Sequence, residues 1–169
     1  KNGKPDRWIS TSNVSLDTSD FVSGKNSIKV VGDGSSKHYA SHEFEFSGKK
    51  GTVFDFSGYS KASGLTGAAG DYVLRIRIEN QDGTVSYYGI DYTKSTHDWE
   101  YKSQTVVLPK DFKRFSIYGQ FSNQTGTVWF DDIKLNILSS DNAQVSNYNI
   151  ATNGSFEHLD ASGNYIDWY

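Results

Sequence analysis

Apolar and polar residues alternate with a period of two along most of the chain, and nothing beyond one or two turns repeats every 3.6 residues. The clearest run is 72–80 (YVLRIRIEN), with Leu74, Ile76 and Ile78 on one side and Arg75, Arg77 and Glu79 on the other. Asp82-Gly83 follows as a tight turn, and 85–92 returns as its hairpin partner. In 39–46 (YASHEFEF), Ala40, His42, Phe44 and Phe46 share a face. Further strands are predicted at 27–31, 52–60 (bulged at Gly58), 99–108, 112–121 and 127–137, with turn residues between most of them. Many short strands joined by glycine-rich turns specify an all-β, antiparallel sandwich or barrel.

The end of the chain breaks this pattern. Residues 138–149 are polar and turn-rich and read as a linker, and 150–169 is too short for a domain. Gly3 and Trp8 share their spacing with Gly163 and Trp168, displaced by 163 − 3 = 160 residues. On this reading 1–137 is one module lacking its own first strand, and 150–169 opens a second copy.

Composition narrows the function. The 169 residues include 17 Lys or Arg and 20 Asp or Glu, a net charge of −3, with no cysteine and no methionine. A disulfide scaffold, a cysteine nucleophile and a thiolate metal site are excluded. The missing initiator methionine sets the expectation of a fragment cut from something longer. No apolar run reaches a membrane span and no signal-peptide pattern opens the chain, so no membrane partner is expected. A mildly acidic chain without a basic stripe is a poor nucleic-acid binder. The surplus is aromatic: 4 Trp, 11 Tyr and 10 Phe.

Alternation sorts these side chains by face. The residues opposite the core positions are Tyr39, Arg75, Arg77, Tyr87, Asp91, Tyr118 and Gln120. Tyrosine faces stack on the C–H patches of sugar rings, while Arg, Gln and Asp bond to their hydroxyls. The plain alternative is a solvated face of cross-strand pairs. Trp8 and Trp99 are expected in the core, and one of Trp129 and Phe130 must face out.

Catalytic patterns are weak. His38 and His42 lie about 13 Å apart on a strand, too far for one metal. There is no Gly-x-Ser-x-Gly elbow. Glu43, Glu79 and Asp91 could face one groove as glycosidase carboxylates. The loop 63–70 (SGLTGAAG) precedes a strand rather than a helix, so it is no phosphate cradle.

Several short elements together resemble a known family: Asn153-Gly154-Ser155-Phe156-Glu157, Trp8, Ser23-Gly24-Lys25-Asn26-Ser27, Phe56-Ser57-Gly58-Tyr59, Asp98-Trp99 and Trp129-Phe130-Asp131-Asp132-Ile133-Lys134-Leu135. With the first element permuted to the end, they look like the jelly-roll carbohydrate-binding modules that bind xylan and glucan chains. The resemblance implies an antiparallel two-sheet β-sandwich (jelly roll) and a non-catalytic module binding polysaccharide or oligosaccharide. It also implies a larger extracellular or cell-surface bacterial protein. The rivals are a structural, protein-interaction or adhesion module of the same fold, and a polysaccharide-degrading enzyme.

The resemblance further implies one structural calcium, held by Glu157, the backbone of Gly24 and Lys25, and Asp131 or Asp132. Asp131 has the parity of Ile133 and Leu135, so it is expected to point inward, where it needs a cation or hydrogen bonds. The alternative is a carboxylate that only caps the strand end. Glu157 belongs to the tail, whose residues 150–157 would fill the vacant edge in cis or by strand exchange with a neighbouring chain.

Overall fold

The computed structural model describes residues 8–67, 70–138 and 148–149, and the described residues form strands and no helix. The strands are β1 (Ile9–Ser10), β2 (Val14–Asp17), β3 (Ser27–Asp33), β4 (Lys37–Phe44), β5 (Val53–Thr66) and β6 (Tyr72–Asn80). They continue as β7 (Val85–Asp91), β8 (His97–Val107), β9 (Phe112–Ser122), β10 (Thr125–Leu138) and β11 (Tyr148–Asn149).

They form two antiparallel sheets, one ordered β1-β4-β9-β6-β7 and the other β2-β3-β10-β5-β8, with β11 added to β10. This is a two-sheet sandwich rather than a closed barrel. The alternation explains it: each sheet has one apolar face, and the two faces bury each other. Leu74, Ile76, Ile78, Phe115, Ile117 and Phe121 come from the first sheet, and Ile28, Val30, Phe54, Phe56, Val128 and Phe130 from the second. The Phe54 ring meets Phe115 edge-on at 5.0 Å, and Tyr72 meets Phe130 at 5.9 Å. Gly119 lets the sheets approach here, because a Cβ on it would lie 2.8 Å from the Phe130 ring.

Every strand read from the alternation is present. The two-residue β1 and four-residue β2 were not predicted, because runs that short display no period. β5 extends to Thr66, so half of the expected 63–70 loop is strand. The irregularity expected at Gly58 has its extra residue in the partner strand. Gly58 pairs evenly with Lys102 on β8, while β10 inserts Asp132 and Ile133 between the pairs Asp131–Tyr59 and Lys134–Ser57. Asp132 takes the left-handed conformation this needs, with φ 47°. At the other end, β11 falls within the span expected to be a linker and pairs Tyr148 with Ile137 and Asn149 with Asn136.

The aromatics divide in three. Trp8 is in the core at 6% exposure, and Phe130 faces inward. Trp129 faces outward but is covered: its Nε1 donates to Asp17 at 2.9 Å, and Lys29 Nζ lies 5.4 Å from its ring centre. Trp99 corrects the expectation of a core residue. It sits in a register shift between the pairs Ser60–Glu100 and Ala62–His97, is half-buried, and donates its Nε1 to Asp20 at 3.2 Å. No helix among the described residues is long and apolar enough to cross a membrane.

Candidate functional site

Register places the seven sequence-selected residues on the outer face of the first sheet. Three cross-strand rows carry them: Tyr39–Gln120–Val73–Asp91, Ser41–Tyr118–Arg75–Gly89 and Glu43–Ser116–Arg77–Tyr87. Small residues at Ser41, Ser116 and Gly89 alternate with the bulkier side chains of these rows. Gly89 cannot be replaced freely, since a Cβ there would come within 2.7 Å of Val73.

The seven are not equally available. Tyr87 is 56% exposed and Asp91 is exposed, whereas Tyr118 is 7% exposed and Gln120 2%. Tyr118 and Gln120, read from sequence as outward groups, therefore form the buried floor of this face rather than free platforms. Both sit on β9, the middle strand, where neighbours on β4 and β6 cover them. Burial raises the Tyr118 phenol above its ordinary pKa. Gln120 donates its amide to Asp71 at 2.6 Å and accepts from Arg75 Nη1 at 3.5 Å. Arg75 Nη2 also lies 3.5 Å from Asp71.

Three further residues belong to this face. Lys37 Nζ lies 5.2 Å from the Tyr39 ring centre and 5.4 Å from that of Tyr118. Asp71 is one step before β6 on the same parity as Arg75. Both were visible in the sequence had the alternation been followed past the strand ends. Ile9, opposite Ser41 and 67% exposed, rims the face on a strand too short to be read. Beyond Arg77 the face turns acidic. Arg114 binds Glu79 at 3.0 Å, Glu43 at 3.1 Å and Glu45 at 3.5 Å. The bond from Arg114 holds the Glu79 carboxyl below its ordinary pKa, against a smaller effect of burial.

The residues expected around a metal lie at the bulge in β10. Asp131 is fully buried, and its Oδ2 accepts the backbone N–H groups of Val22 at 2.6 Å and Ser23 at 3.0 Å. Its Oδ1 accepts the N–H of Asp132 at 2.7 Å. Its burial has another cause than the expected parity: the bulge resets the alternation, and the turn holding Val22 and Ser23 covers the carboxylate. Burial pushes this carboxyl up to about 6, although the three N–H bonds oppose the rise. Asp132 pairs with Lys134 at 2.9 Å. Gly24 (φ 69°) and Lys25 continue the covering turn.

The fit to calcium can be tested on donor chemistry. A carboxylate offers about four lone-pair sites, so three N–H bonds leave one on Asp131 Oδ1. Ser23 Oγ is buried without a hydrogen-bond partner among the described residues. These oxygens and the turn carbonyls suit a hard cation. Among the described residues no three acidic or histidine side chains converge, and Glu157 lies outside them.

No family model matches the sequence. A stretch of 88 residues is 31% identical to the tRNA nuclease WapA of Bacillus subtilis and, equally, to the tRNA3(Ser)-specific nuclease WapA of Bacillus spizizenii. It is 51% of this chain and 4% of either protein, so the chain spans only a small part of these curated relatives. Solved structures match over far more of the chain. The CBM22-1 xylan-binding domain of Paenibacillus barcinonensis Xyn10C superposes with a TM-score of 0.59 at 14% identity, covering 81% of this chain and 89% of that domain. TmCBM61, solved with β-1,4-galactotriose, gives a TM-score of 0.52 at 15% identity, covering 79% and 90%. The enzymatically active domain of tailspike protein 4 from bacteriophage CBA120 gives 0.60 at 14% identity, but this chain covers only 21% of it. The chain therefore has the jelly-roll sandwich fold of the carbohydrate-binding modules that its sequence resembles.

Proposed function

We propose that this chain is a non-catalytic polysaccharide-binding module of a larger extracellular or cell-surface bacterial protein. The observation that carries the reading is the gathering of three tyrosines, two arginines and an amide on one face of one sheet. Tyr87 offers an exposed ring for stacking, and Arg75 and Arg77 offer donors to sugar hydroxyls. The Asp71–Gln120–Arg75 bonds hold one of those donors in place, which reduces the ordering cost of binding. Structural neighbours named for xylan and galactotriose binding support the choice of ligand class. The Bacillus relatives, which are far longer than this chain, support a larger bacterial parent protein.

The carboxylates considered for glycoside hydrolysis favour binding over catalysis. Glu43 and Glu79 both pair with Arg114, and that pairing holds the Glu79 carboxyl below its ordinary pKa, the opposite of what a general acid needs. A structural calcium, where bound, would be held by Asp131, the carbonyls of Gly24 and Lys25, and Glu157. It would tie β10 to the turn that precedes β3.

Glycan-array binding with a Tyr87→Ala control tests the reading. Binding to at least one polysaccharide, weakened by Tyr87→Ala, is expected. Binding to none would favour a structural or protein-interaction module with this fold, and release of sugar products would favour an enzyme.

A further inference from the structure

Arg75, Arg77 and Lys37 on the outer face of the first sheet are short of carboxylates beside the best-paired cations of the molecule, although Lys50, Lys94 and Lys113 also have none within 4.0 Å among the described residues. Lys61, Lys110 and Lys134 each hold a carboxylate at 2.8–2.9 Å. Arg114 holds three within 3.5 Å. On this face, the only carboxylate within 4.0 Å of Arg75 among the described residues is Asp71, at 3.5 Å, and the Gln120 amide already occupies the same oxygen at 2.6 Å. The only one that near Arg77 is Glu79, at 3.7 Å, through the oxygen that binds Arg114 at 3.0 Å. Lys37 has none among the described residues and rests against two tyrosine rings.

These three cations collect on one face of a chain whose net charge is −3. Arg75 and Arg77 point the same way from alternate positions of β6, about 7 Å apart along the strand. Asp91, at the β7 edge of the same face, makes no ion pair to either arginine among the described residues. A neutral glycan needs hydrogen-bond donors, which Gln, Asn or Ser supply. Guanidinium groups left short of carboxylates match a planar or tetrahedral oxyanion, which they bind through paired N–H donors.

We infer that the ligand of this face is an anionic polysaccharide, its carboxylate or phosphodiester groups bridging Arg75 and Arg77 with Lys37 beside the tyrosines. The inference rests on the polysaccharide reading and names the charge class of its ligand.

The test is binding by the whole chain to polygalacturonate, to a glycerol-phosphate polymer and to neutral xylan, each at low and high salt. One anionic polymer should bind roughly tenfold tighter than xylan at low salt, and lose that advantage when salt screens the charges. Which polymer wins identifies carboxylate or phosphodiester as the source. Arg77→Gln should weaken that binding about fivefold, corresponding to one charge-assisted contact. Lys94→Gln, an equal charge change at an exposed loop position, should leave it within about twofold if long-range screening is all that acts there. Circular dichroism confirms that both variants fold. Neutral xylan bound as tightly as either anionic polymer, with no response to salt or Arg77→Gln, would overturn the inference and leave the polysaccharide reading standing. Equal weakening by Lys94→Gln would overturn it as nonspecific charge attraction. Binding of no polymer, neutral or anionic, would overturn both.

Discussion

The Gln120 side chain, 2% exposed, donates to the Asp71 carboxylate at 2.6 Å from the middle of the outer face of its sheet. A buried amide with a charged partner is stabilising chiefly because its loss leaves that partner unpaired. Gln120→Leu keeps the volume and removes the donor. It should cost about 1–2 kcal/mol in urea denaturation, since Asp71 is partly exposed and can recover water. It also releases Arg75 from its acceptor, so ligand affinity should fall beyond the stability loss, read by titration well below the melting range.

A second buried polar link joins the sheets. Ser60 Oγ lies 2.5 Å from the Tyr72 hydroxyl and donates to the Trp129 carbonyl at 2.6 Å, so the Tyr72 proton is directed to Ser60 or to the Lys61 carbonyl at 3.2 Å. Burial raises the Tyr72 phenol well above its ordinary pKa, which keeps it a neutral donor. Tyr72→Phe retains the ring contacts and should lower stability by about 1–2 kcal/mol, the cost of one buried hydrogen bond. Ser60→Ala in the Tyr72→Phe background should add less than it does alone, because the two mutations remove a shared bond.

The strands and the face of the candidate site were legible because both depend on a period of two, and runs such as Tyr72–Asn80 hold that period for nine residues. The features that escaped were set by tertiary geometry. Tyr118 and Gln120 have the parity of exposed residues but are buried by their position on the central strand, and strand order is not written in any one strand. Trp99 left the core at a register shift, and Asp131 lost its parity at a bulge. In both cases one irregular step in the strand changed which face the neighbouring side chains take. Lys37 and Asp71 keep the parity of Tyr39 and Arg75 but lie just beyond the residues whose apolar alternation marks each strand.

Sheet spacing predicts the effect at Gly119. A Cβ there would lie 2.8 Å from Cδ2 of Phe130 and 3.0 Å from its neighbours, and Phe130 is fully buried with Tyr72 and Tyr92 against it. The ring has no space to retreat. Gly119→Ala should destabilise by about 1–3 kcal/mol, as overpacking does. A thermal melt that matches wild type would show that the sheets can separate locally at little cost.

The pairing of Tyr148 with Ile137 and Asn149 with Asn136 sends the chain back along β10 towards Asp131. Among the described residues no strand pairs with 131–135 on that side, since β3 ends its pairing at Phe130. The strand expected at 150–157 lies outside the described residues; we propose that it fills this edge, in cis or by exchange with a neighbouring chain. Truncation after residue 138 should then lower the melting temperature, and limited proteolysis of the whole chain should spare 150–157. Early cleavage within that segment without loss of stability would count against the proposal.

Asp131 gives a pH dependence whose sign reveals whether a cation is bound. Its folded pKa of about 6 lies above the value near 3.9 of an unfolded chain, so between these limits the folded state holds the extra proton. Stability from this group is fully present below the unfolded value and is lost as pH rises through the folded one. Chelated protein should therefore melt at a lower temperature at pH 7 than at pH 4.5, as far as Asp131 governs. A calcium ion favours the charged carboxylate and opposes this loss, so added calcium should raise the melting temperature by several degrees at pH 7 and by much less at pH 4.5. Asp131→Asn should abolish the calcium response and flatten the pH dependence, whatever its effect on the turn at Val22 and Ser23. An unchanged melting temperature at pH 7 in excess chelator would remove calcium from this fold and leave Asp131 as a cap for that turn.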